Sequence, residues 1–153
     1  NWDFPLGLLL MWATGRRYHF LGKDSLFRPP HGWIFRGLGG IPVYRDRRSN
    51  FVNQIVEVLN NASDLIIVIS PEGTRKMSPY WKTGFYYMAL GAKIPIVTAF
   101  LDYEHRAVGF GPMIHPSGDI QADFAIIRAF YGNIRGKYPE KQGPIEIKPP
   151  EAA

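Results

Sequence analysis

Residues 65–75 read Leu-Ile-Ile-Val-Ile-Ser-Pro-Glu-Gly-Thr-Arg, an apolar run that ends in a polar turn. An uninterrupted run of branched apolar side chains is typical of a strand buried on both faces, in a sheet that helices cover. Pro71 lacks an amide donor and Gly73 permits positive φ, so the strand should end here and present residues 72–75 at its carboxyl end. Ligands of open α/β sheets bind at that end of the strands. The alternative is a strand-to-loop turn whose glutamate and arginine are solvated or paired with each other.

The segments on either side of this strand alternate between helical and extended patterns. Helices are predicted over residues 3–14, 49–60, 81–90 and 120–134, and a short helix over the part of residues 26–38 that follows Pro29 and Pro30. Strands are predicted over residues 17–22, 41–44, 64–69, 94–100 and 106–110. The order strand, helix, strand predicts an α/β fold with a mostly parallel sheet flanked by helices. We expect the strand over 94–100 to be buried and to continue the alternation, and Pro42 to mark an edge strand. Trp33 is expected on the buried side of the short second helix.

Composition favours one domain over residues 1–153, with a mobile proline-rich tail over 143–153. The absence of cysteine excludes disulfides, thiolate nucleophiles and cysteine-based zinc sites. No cluster of ligands at useful spacing predicts a metal. The longest apolar run, residues 4–13, is about half a membrane span, which indicates a buried or interfacial helix.

Positive charge is concentrated in one stretch. Residues 16–48 carry eight basic and two acidic side chains, so this stretch alone exceeds the net charge of +5 for the whole chain. A basic face favours phosphates: an anionic bilayer surface, a phosphorylated small molecule or nucleic acid. Nucleic acid is the weakest of these because most aromatic residues have the pattern of core residues rather than of a stacking surface. A solvated basic surface without a specific partner is the alternative.

Two arginines follow predicted strands, Arg45 after residues 41–44 and Arg75 after residues 64–69. Two guanidinium groups can hold one phosphate dianion through bidentate hydrogen bonds. The alternative is that each arginine pairs with a nearby acid such as Asp46 or Glu72. The chain lacks the Gly-x-Ser-x-Gly, Gly-x-x-x-x-Gly-Lys, Gly-x-Gly-x-x-Gly and His-Glu-x-x-His patterns, which excludes most familiar hydrolase, nucleotidase and zinc enzyme classes.

Four short segments together resemble a known family. Residues 40–45 (Gly-Ile-Pro-Val-Tyr-Arg) and 71–75 (Pro-Glu-Gly-Thr-Arg) resemble the Gly-x-x-x-x-Arg and Glu-Gly-Thr-Arg blocks of the glycerolipid acyltransferases, which include lysophosphatidic acid acyltransferase. Residues 82–85 (Lys-Thr-Gly-Phe) and 94–97 (Ile-Pro-Ile-Val) look like the third and fourth blocks of that family, in the same order. The resemblance covers residues 1 to about 100.

The first block of that family is His-x-x-x-x-Asp, and Asp3 resembles its aspartate. The histidine would then lie three positions before Asn1, so we expect this chain to be a fragment that begins inside its own active site. His19 and Asp24 satisfy the same spacing, but His19 falls in a predicted strand and is the less favoured base.

The resemblance implies direct acyl transfer from a thioester, acyl-CoA or acyl-ACP, to the free hydroxyl of a lysophosphatidate-like glycerophospholipid. The histidine would be the general base and Asp3 would hold its tautomer. Glu72 would orient the glycerol or the arginines. The substrate-binding residues implied are Gly40, Arg45, Gly73, Thr74, Arg75 and Lys82, with Gly84 a weaker candidate.

No bound cofactor is implied, since the acyl-thioester is a co-substrate. The resemblance also implies a peripheral enzyme of phospholipid biosynthesis on the cytoplasmic face of a membrane, with no nucleic-acid partner. The basic stretch and the rings of Trp2, Trp12, Trp33 and Phe35 would lie against anionic lipid. The alternative function is a lipid-phosphate binding domain that keeps Arg45 and Arg75 but lacks the base.

Overall fold

The computed structural model describes residues 3–43, 51–74 and 76–149, without the side chains of residues 3–5, 8 and 11. The chain forms two compact units, residues 1–69 and residues 70–153. That these units make up one domain stays a prediction.

The first unit is an α/β layer built on a parallel sheet. Its elements are α1 (Asp3–Thr14), β1 (Tyr18–Lys23), α2 (Gly32–Gly37), β2 (Gly40–Val43), α3 (Phe51–Asn60) and β3 (Ile66–Val68). The strands pair in the order β2-β1-β3, and both pairings are parallel. The predicted fold class, a mostly parallel sheet with flanking helices, is confirmed.

Strand β2 lies at an edge of this sheet, where Pro42 was expected because it has no amide to donate. The predicted helix over 49–60 is α3, and its apolar spacing places Ile55 in the core with 1% of its surface exposed. Val43 at the end of β2 is equally buried, with 2% exposed.

Two burial predictions in this unit are wrong. Strand β3 is not buried on both faces: Ile66 is 36% exposed and Val68 54%, because β3 is the other edge strand and these two side chains share one face. Trp33 is 74% exposed. It precedes Phe35 by two residues, which places it on the opposite side of α2, while the ring of Phe35 contacts that of Phe27 edge-on.

The second unit contains a β-hairpin and two helices. Its elements are α4 (Gly84–Ala92), β4 (Ile96–Asp102), β5 (Ala107–Ile114) and α5 (Ile120–Tyr131), with a short 3₁₀ helix over Pro139–Lys141. β4 pairs with β5 in an antiparallel two-stranded sheet apart from the parallel one, so the prediction that it continues the parallel alternation is wrong. The predicted burial of this strand is wrong as well, since Val97 is 46% exposed. The four residues between the strands are too few for a parallel crossover, which needs a dozen or more.

The core of this unit is formed by Ile114, Phe124 and Ile127, surrounded by half-buried rings. Ile145 and Ile147 pack against it, and Arg128 Nε donates to the carbonyl of Ile145 at 3.1 Å. The expectation of a mobile tail from residue 143 onward stays a prediction, although the structure packs Ile145 and Ile147 against this core. Proline content suggested mobility, but the alternating isoleucines give the segment an apolar side to bury. Residues 150–153 lie outside the described part of the chain.

Within the described residues, none of the helices has both the length and the apolar character needed to cross a bilayer.

Candidate active site

The polar turn after β3 has the form that its glycine predicts. The Gly73 N–H donates to the carbonyl of Ser70 at 3.2 Å, and Gly73 has a φ of 62°. A left-handed conformation is costly for a residue with a Cβ atom, so the turn favours glycine at this position. The Thr74 hydroxyl accepts from the Lys76 N–H at 3.2 Å. The strand therefore ends in a defined turn rather than in a loose loop.

Lys82 lies directly against this turn. Its backbone N–H donates to the carbonyl of Pro71 at 2.8 Å. A Cβ atom at position 73 would lie 2.6 Å from Lys82 Nζ and 2.9 Å from its Cδ and Cε atoms. The side chain of Lys82 thus occupies the space that a side chain at position 73 would need. The structure brings together Gly73 and Lys82, which the resemblance assigned to the same site from two separate blocks.

Glu72 is the acid of this turn, and it is half-buried. Burial raises the pKa of its carboxyl above the ordinary value. Among the described residues, from which Arg75 is excluded, no ion pair to this carboxylate is found. Arg75 lies outside the described residues, so the alternative in which Glu72 pairs with Arg75 stays untested.

Of the remaining predicted site residues, two have a described backbone position and two lie wholly outside the described residues. Asp3 is the first residue of α1 and Gly40 the first of β2, both in the first unit. The side chain of Asp3, and Arg45 and Arg75 entirely, lie outside the described residues. Gly40 has a packing role: a Cβ atom there would lie 2.7 Å from both the Phe27 ring and the carbonyl oxygen of Phe35.

His19 lies in β1, as expected, and the structure does not pair it with Asp24 through its Nδ1 atom. Nδ1 of His19 is buried without a hydrogen-bond partner among the described residues. Asp24 instead accepts from Arg28 Nη2 at 2.9 Å. The geometry therefore gives no support to this pair as the catalytic base and its orienting acid.

A cleft beside Lys82 was not predicted. It has a volume of about 640 Å³ and is lined by residues 80–84, 87, 120–121 and 147–148; we call it the Trp81 cleft. Helix α4, predicted to start at Trp81, starts three residues later because the Trp81 N–H donates to the carbonyl of Glu146 at 2.8 Å and Trp81 forms a parallel bridge with Ile147. In the sequence, only the lysine and tyrosines of residues 80–87 could have indicated this cleft. Residues 147–148, which form its second wall, lie about 60 or more positions further along the chain.

A buried polar network was also missed. Asp123 accepts hydrogen bonds from the Tyr86 hydroxyl at 2.7 Å, from the Ser117 N–H at 2.8 Å and from the Ser117 hydroxyl at 3.1 Å. Burial alone would raise the pKa of Asp123, but these three donors outweigh it, and the pKa lies below the ordinary value. Burial and the bond to Asp123 raise the pKa of Tyr86. The Asp123 carboxylate is fully hydrogen-bonded within the protein. The network therefore holds α4 to α5 and is not a reactive site.

One histidine and carboxylate pair is found in the hairpin turn. His105 Nδ1 lies 2.8 Å from Asp102 Oδ2, and Asp102 Oδ1 accepts from the N–H groups of Glu104 and His105. This hydrogen bond lowers the pKa of Asp102 and raises that of His105. Through these hydrogen bonds the Asp102 carboxylate stabilises the turn between β4 and β5, so the pair has a structural role. Within the described ranges no group of three metal-ligating side chains is found.

The comparisons with known proteins bear on this site. A sequence model of the family described as Acyltransferase matches residues 1–102, a range that spans both units and includes the turn and Lys82. The crystal structure of the 1-acyl-sn-glycerophosphate (LPA) acyltransferase PlsC from Thermotoga maritima is similar over 72% of this chain, with a TM-score of 0.48 and 20% sequence identity. This chain spans about half of that protein, 52% of its chain. No curated protein sequence matches significantly.

The family match extends over two thirds of the chain and contains all four blocks on which the resemblance was based. The prediction of an acyltransferase is confirmed at the level of the family. The chain belongs to the acyltransferase family.

Proposed function

We propose that this chain carries out acyl transfer from an acyl-thioester, acyl-CoA or acyl-ACP, to the free hydroxyl of a lysophosphatidate-like glycerophospholipid. The single observation that carries the proposal is the position of Lys82 across Gly73. It adds a cation to a turn whose sequence, Glu-Gly-Thr-Arg, already supplies an acid and a guanidinium. A phosphorylated acceptor needs such a concentration of positive charge.

The reaction needs no covalent enzyme intermediate. The acceptor hydroxyl oxygen attacks the thioester carbonyl, the carbon–oxygen bond forms, and the carbon–sulfur bond breaks. A histidine ahead of Asn1 would take the hydroxyl proton, which then goes to the departing thiolate. Asp3 would hold that histidine in the correct tautomer. Loss of a general base costs about 100-fold to 10,000-fold in rate.

The turn and the arginines would bind the acceptor. Arg45 and Arg75 would hold the phosphate, with Lys82 as a third cation. Glu72, whose pKa burial raises, would accept a hydrogen bond from a glycerol hydroxyl or orient an arginine. Thr74 would shape the turn through the hydrogen bond that its hydroxyl accepts from the Lys76 N–H.

The test is acyl transfer from a long-chain acyl-thioester to lysophosphatidate, with the chain extended upstream through the predicted histidine. We expect transfer by the extended chain and a loss of about 100-fold or more when Glu72 and Arg75 are both changed to Ala. The matched control is Glu140→Ala with Lys141→Ala, an exposed acid and cation on the 3₁₀ helix, which should keep full activity.

Other outcomes separate the alternatives. No transfer by any variant, with lysophosphatidate still bound, would reject the enzyme in favour of the lipid-phosphate binding domain. Equal transfer with and without the upstream residues would remove the predicted histidine from the mechanism and return attention to His19.

We further propose that the first unit rests on the cytoplasmic surface of an anionic membrane. Trp12 is 83% exposed and Trp33 74%, and the side chains of Arg16 and Arg28 are 63% and 73% exposed. Exposed indole rings and arginines of this kind favour the headgroup region of a bilayer. Vesicles rich in anionic lipid should bind the protein, and changing Arg16, Arg17 and Arg28 to Glu should abolish the binding. Unchanged binding by that variant would contradict the proposal.

A further inference from the structure

The segment that carries Lys82 is held by hydrogen bonds on two opposite sides. The Trp81 N–H donates to the carbonyl of Glu146 at 2.8 Å, and the next amide along the chain, that of Lys82, donates to the carbonyl of Pro71 at 2.8 Å. Successive N–H groups of an extended backbone point to opposite sides. Residues 81–82 therefore lie between the polar turn on one side and the chain around Glu146 on the other.

A strap over residues 143–147, which we call the Gly143 strap, lies against this segment. Gly143 is buried, and a Cβ atom there would overlap the carbonyl oxygen of Ser78. The backbone of the strap thus lies directly on the backbone of the residues that lead to the lysine, an approach that glycine allows. At the other end of the strap, Ile147 forms a parallel bridge with Trp81. The strap therefore holds the segment at two points.

Helix α5 and the core of the second unit anchor the strap from the other side. Arg128 Nε donates to the carbonyl of Ile145, and its Nη2 donates to Glu146 Oε2, each at 3.1 Å. Ile145 and Ile147 pack against the core cluster. The strap is therefore fixed to the unit through contacts that do not involve the polar turn.

The position of the Lys82 amine depends on its backbone. The side chain is exposed, and lysine has a long stem with many rotamers. Its Cδ, Cε and Nζ atoms nevertheless lie beside Gly73, in space that a side chain at that position would fill. A shift of the adjoining Trp81 backbone would carry the stem out of this space. The amine is therefore fixed from two sides, by the polar turn and by the strap.

We propose that the Gly143 strap is a positioning element of the acyltransferase site and acts by holding Lys82 at the polar turn. This rests on the proposed function, in which Lys82 binds the phosphate of the acceptor. The strap itself contacts no substrate in this role. Residues 143–147 lie outside residues 1–102, which the family model matches, so a part of the chain beyond the family region supplies this support.

The test is steady-state acyl transfer to lysophosphatidate by the upstream-extended chain with Gly143→Ala. The added methyl group forces the strap away from Ser78, so the segment before Lys82 must shift. We expect the KM for lysophosphatidate to rise about tenfold, because a charge-assisted contact to phosphate is weakened, while kcat and the KM for the donor stay within about twofold. Gly136→Ala is the matched control, since its Cβ atom would lie 3.9 Å from Gln142 Oε1, an ordinary contact, and its KM should be unchanged.

A double-mutant cycle separates the positioning of Lys82 from a general loss of stability. Lys82→Gln alone should raise the KM for lysophosphatidate about tenfold or more. If the strap acts through Lys82, adding Gly143→Ala to Lys82→Gln should raise this KM by no more than about twofold. Multiplication of the two effects would overturn the proposal, since the strap would then act elsewhere. Equal KM values for Gly143→Ala and Gly136→Ala would overturn it as well.

Arg128→Ala is a second variant, and it leaves the sequence of the strap intact. It removes the two hydrogen bonds that join the strap to α5. We expect the KM for lysophosphatidate to rise about threefold, and only where Lys82 is present. Arg135→Ala removes the same charge from an exposed arginine of the same unit and should keep the wild-type KM. Where Gly143→Ala does not fold, an unchanged KM for Arg128→Ala rejects the strap.

Nuclear magnetic resonance measures the contact between Lys82 and Gly73 independently of activity. In the wild-type chain the Gly73 Hα atoms should give nuclear Overhauser effects to the Cδ and Cε protons of Lys82, and Gly136→Ala should keep them. Loss of these effects in Gly143→Ala, without any transfer by the wild-type chain, would leave the strap assigned and the proposed function wrong. Unchanged effects in Gly143→Ala, with transfer intact, would leave the function standing and reject the strap.

Discussion

Two carboxylates of the second unit are placed in opposite surroundings. Asp123 is 6% exposed and accepts hydrogen bonds from Tyr86 and Ser117, which hold its pKa below the ordinary value despite burial. Glu72 is half-buried, has no ion-pair partner among the described residues, and has a raised pKa. A buried polar group with all its partners stabilises a fold, while one without them costs stability and marks a site kept open for a ligand.

The largest expected effect is on the satisfied carboxylate. Asp123→Ala leaves the buried Tyr86 hydroxyl without this acceptor and removes the hydrogen bonds from Ser117, so we expect the free energy of unfolding to fall by roughly 3 kcal/mol. Urea unfolding measures this change. Below the unfolding transition, acyl transfer by the folded fraction should be unchanged, because the network does not contact the turn residues.

Asp119 on the same helix is the matched control. It caps α5 by accepting from the N–H groups of Gln121 and Ala122 at the exposed end of the helix. Asp119→Ala should cost about 1 kcal/mol, the usual value of a helix cap. Equal losses for the two aspartates would break the distinction between a buried network and an exposed cap.

The second effect concerns the turn. Gly73→Ala places a Cβ atom against the Lys82 stem and also strains a backbone φ of 62°, so Lys82 must move. We expect kcat/KM for acyl transfer to fall about 10-fold to 100-fold, the cost of misplacing a binding group. The measurement is steady-state transfer at several acceptor concentrations.

Gly15 supplies the control for backbone strain. It has the same φ of 62°, and a Cβ atom there would meet nothing within 4 Å. Gly15→Ala should lower stability by about 1 kcal/mol, as left-handed strain does, and leave kcat/KM unchanged. A similar loss of activity in both variants would attribute the effect of Gly73→Ala to strain and not to Lys82.

The smallest effect is a stability change that depends on pH. Because its pKa is raised on folding, Glu72 binds its proton more tightly in the folded chain than in the unfolded chain. Wild-type stability should therefore decline as pH rises through the ordinary carboxyl range, at about pH 4.3 and just above, relative to Glu72→Gln, which does not titrate. At about pH 3 the two proteins should have equal stability, and at about pH 7 the variant should be slightly the more stable while its transfer activity is lower.

Glu140→Gln, an exposed acid on the 3₁₀ helix, should show no such dependence on pH. Lower stability of Glu72→Gln than of wild type at neutral pH would mean that Glu72 has a stabilising partner, and the contrast with Asp123 would disappear.

Local patterns predicted much of the secondary structure. The apolar spacing of residues 49–60 and the branched run of residues 65–69 depend only on side chains a few positions apart, so α3 and β3 were found. The same patterns could not show that β3 is an edge strand, because burial depends on which strand lies beside it. They also could not show that β4 pairs with β5 and not with the strands of the parallel sheet, because strand pairing depends on neighbours in space.

The site was predicted in part. Glu72, Gly73 and Lys82 were identified from blocks that resemble a family, and the structure places Gly73 and Lys82 in contact. The Trp81 cleft and the Tyr86–Asp123 network were missed because their members lie far apart in the chain and have no local pattern.

By itself the sequence determined the strand that precedes Glu-Gly-Thr-Arg, the α/β alternation as far as that strand, and membership of the acyltransferase family. These depend on short-range periodicity and on the order of blocks along the chain. Only the tertiary structure decided that Lys82 fills the space left by Gly73 and that residues 147–148 line a cleft with Trp81. It also decided that Asp123 has hydrogen-bond partners while Glu72 lacks an ion-pair partner among the described residues. The physical reason is that packing and desolvation depend on neighbours in space, which chain order does not specify.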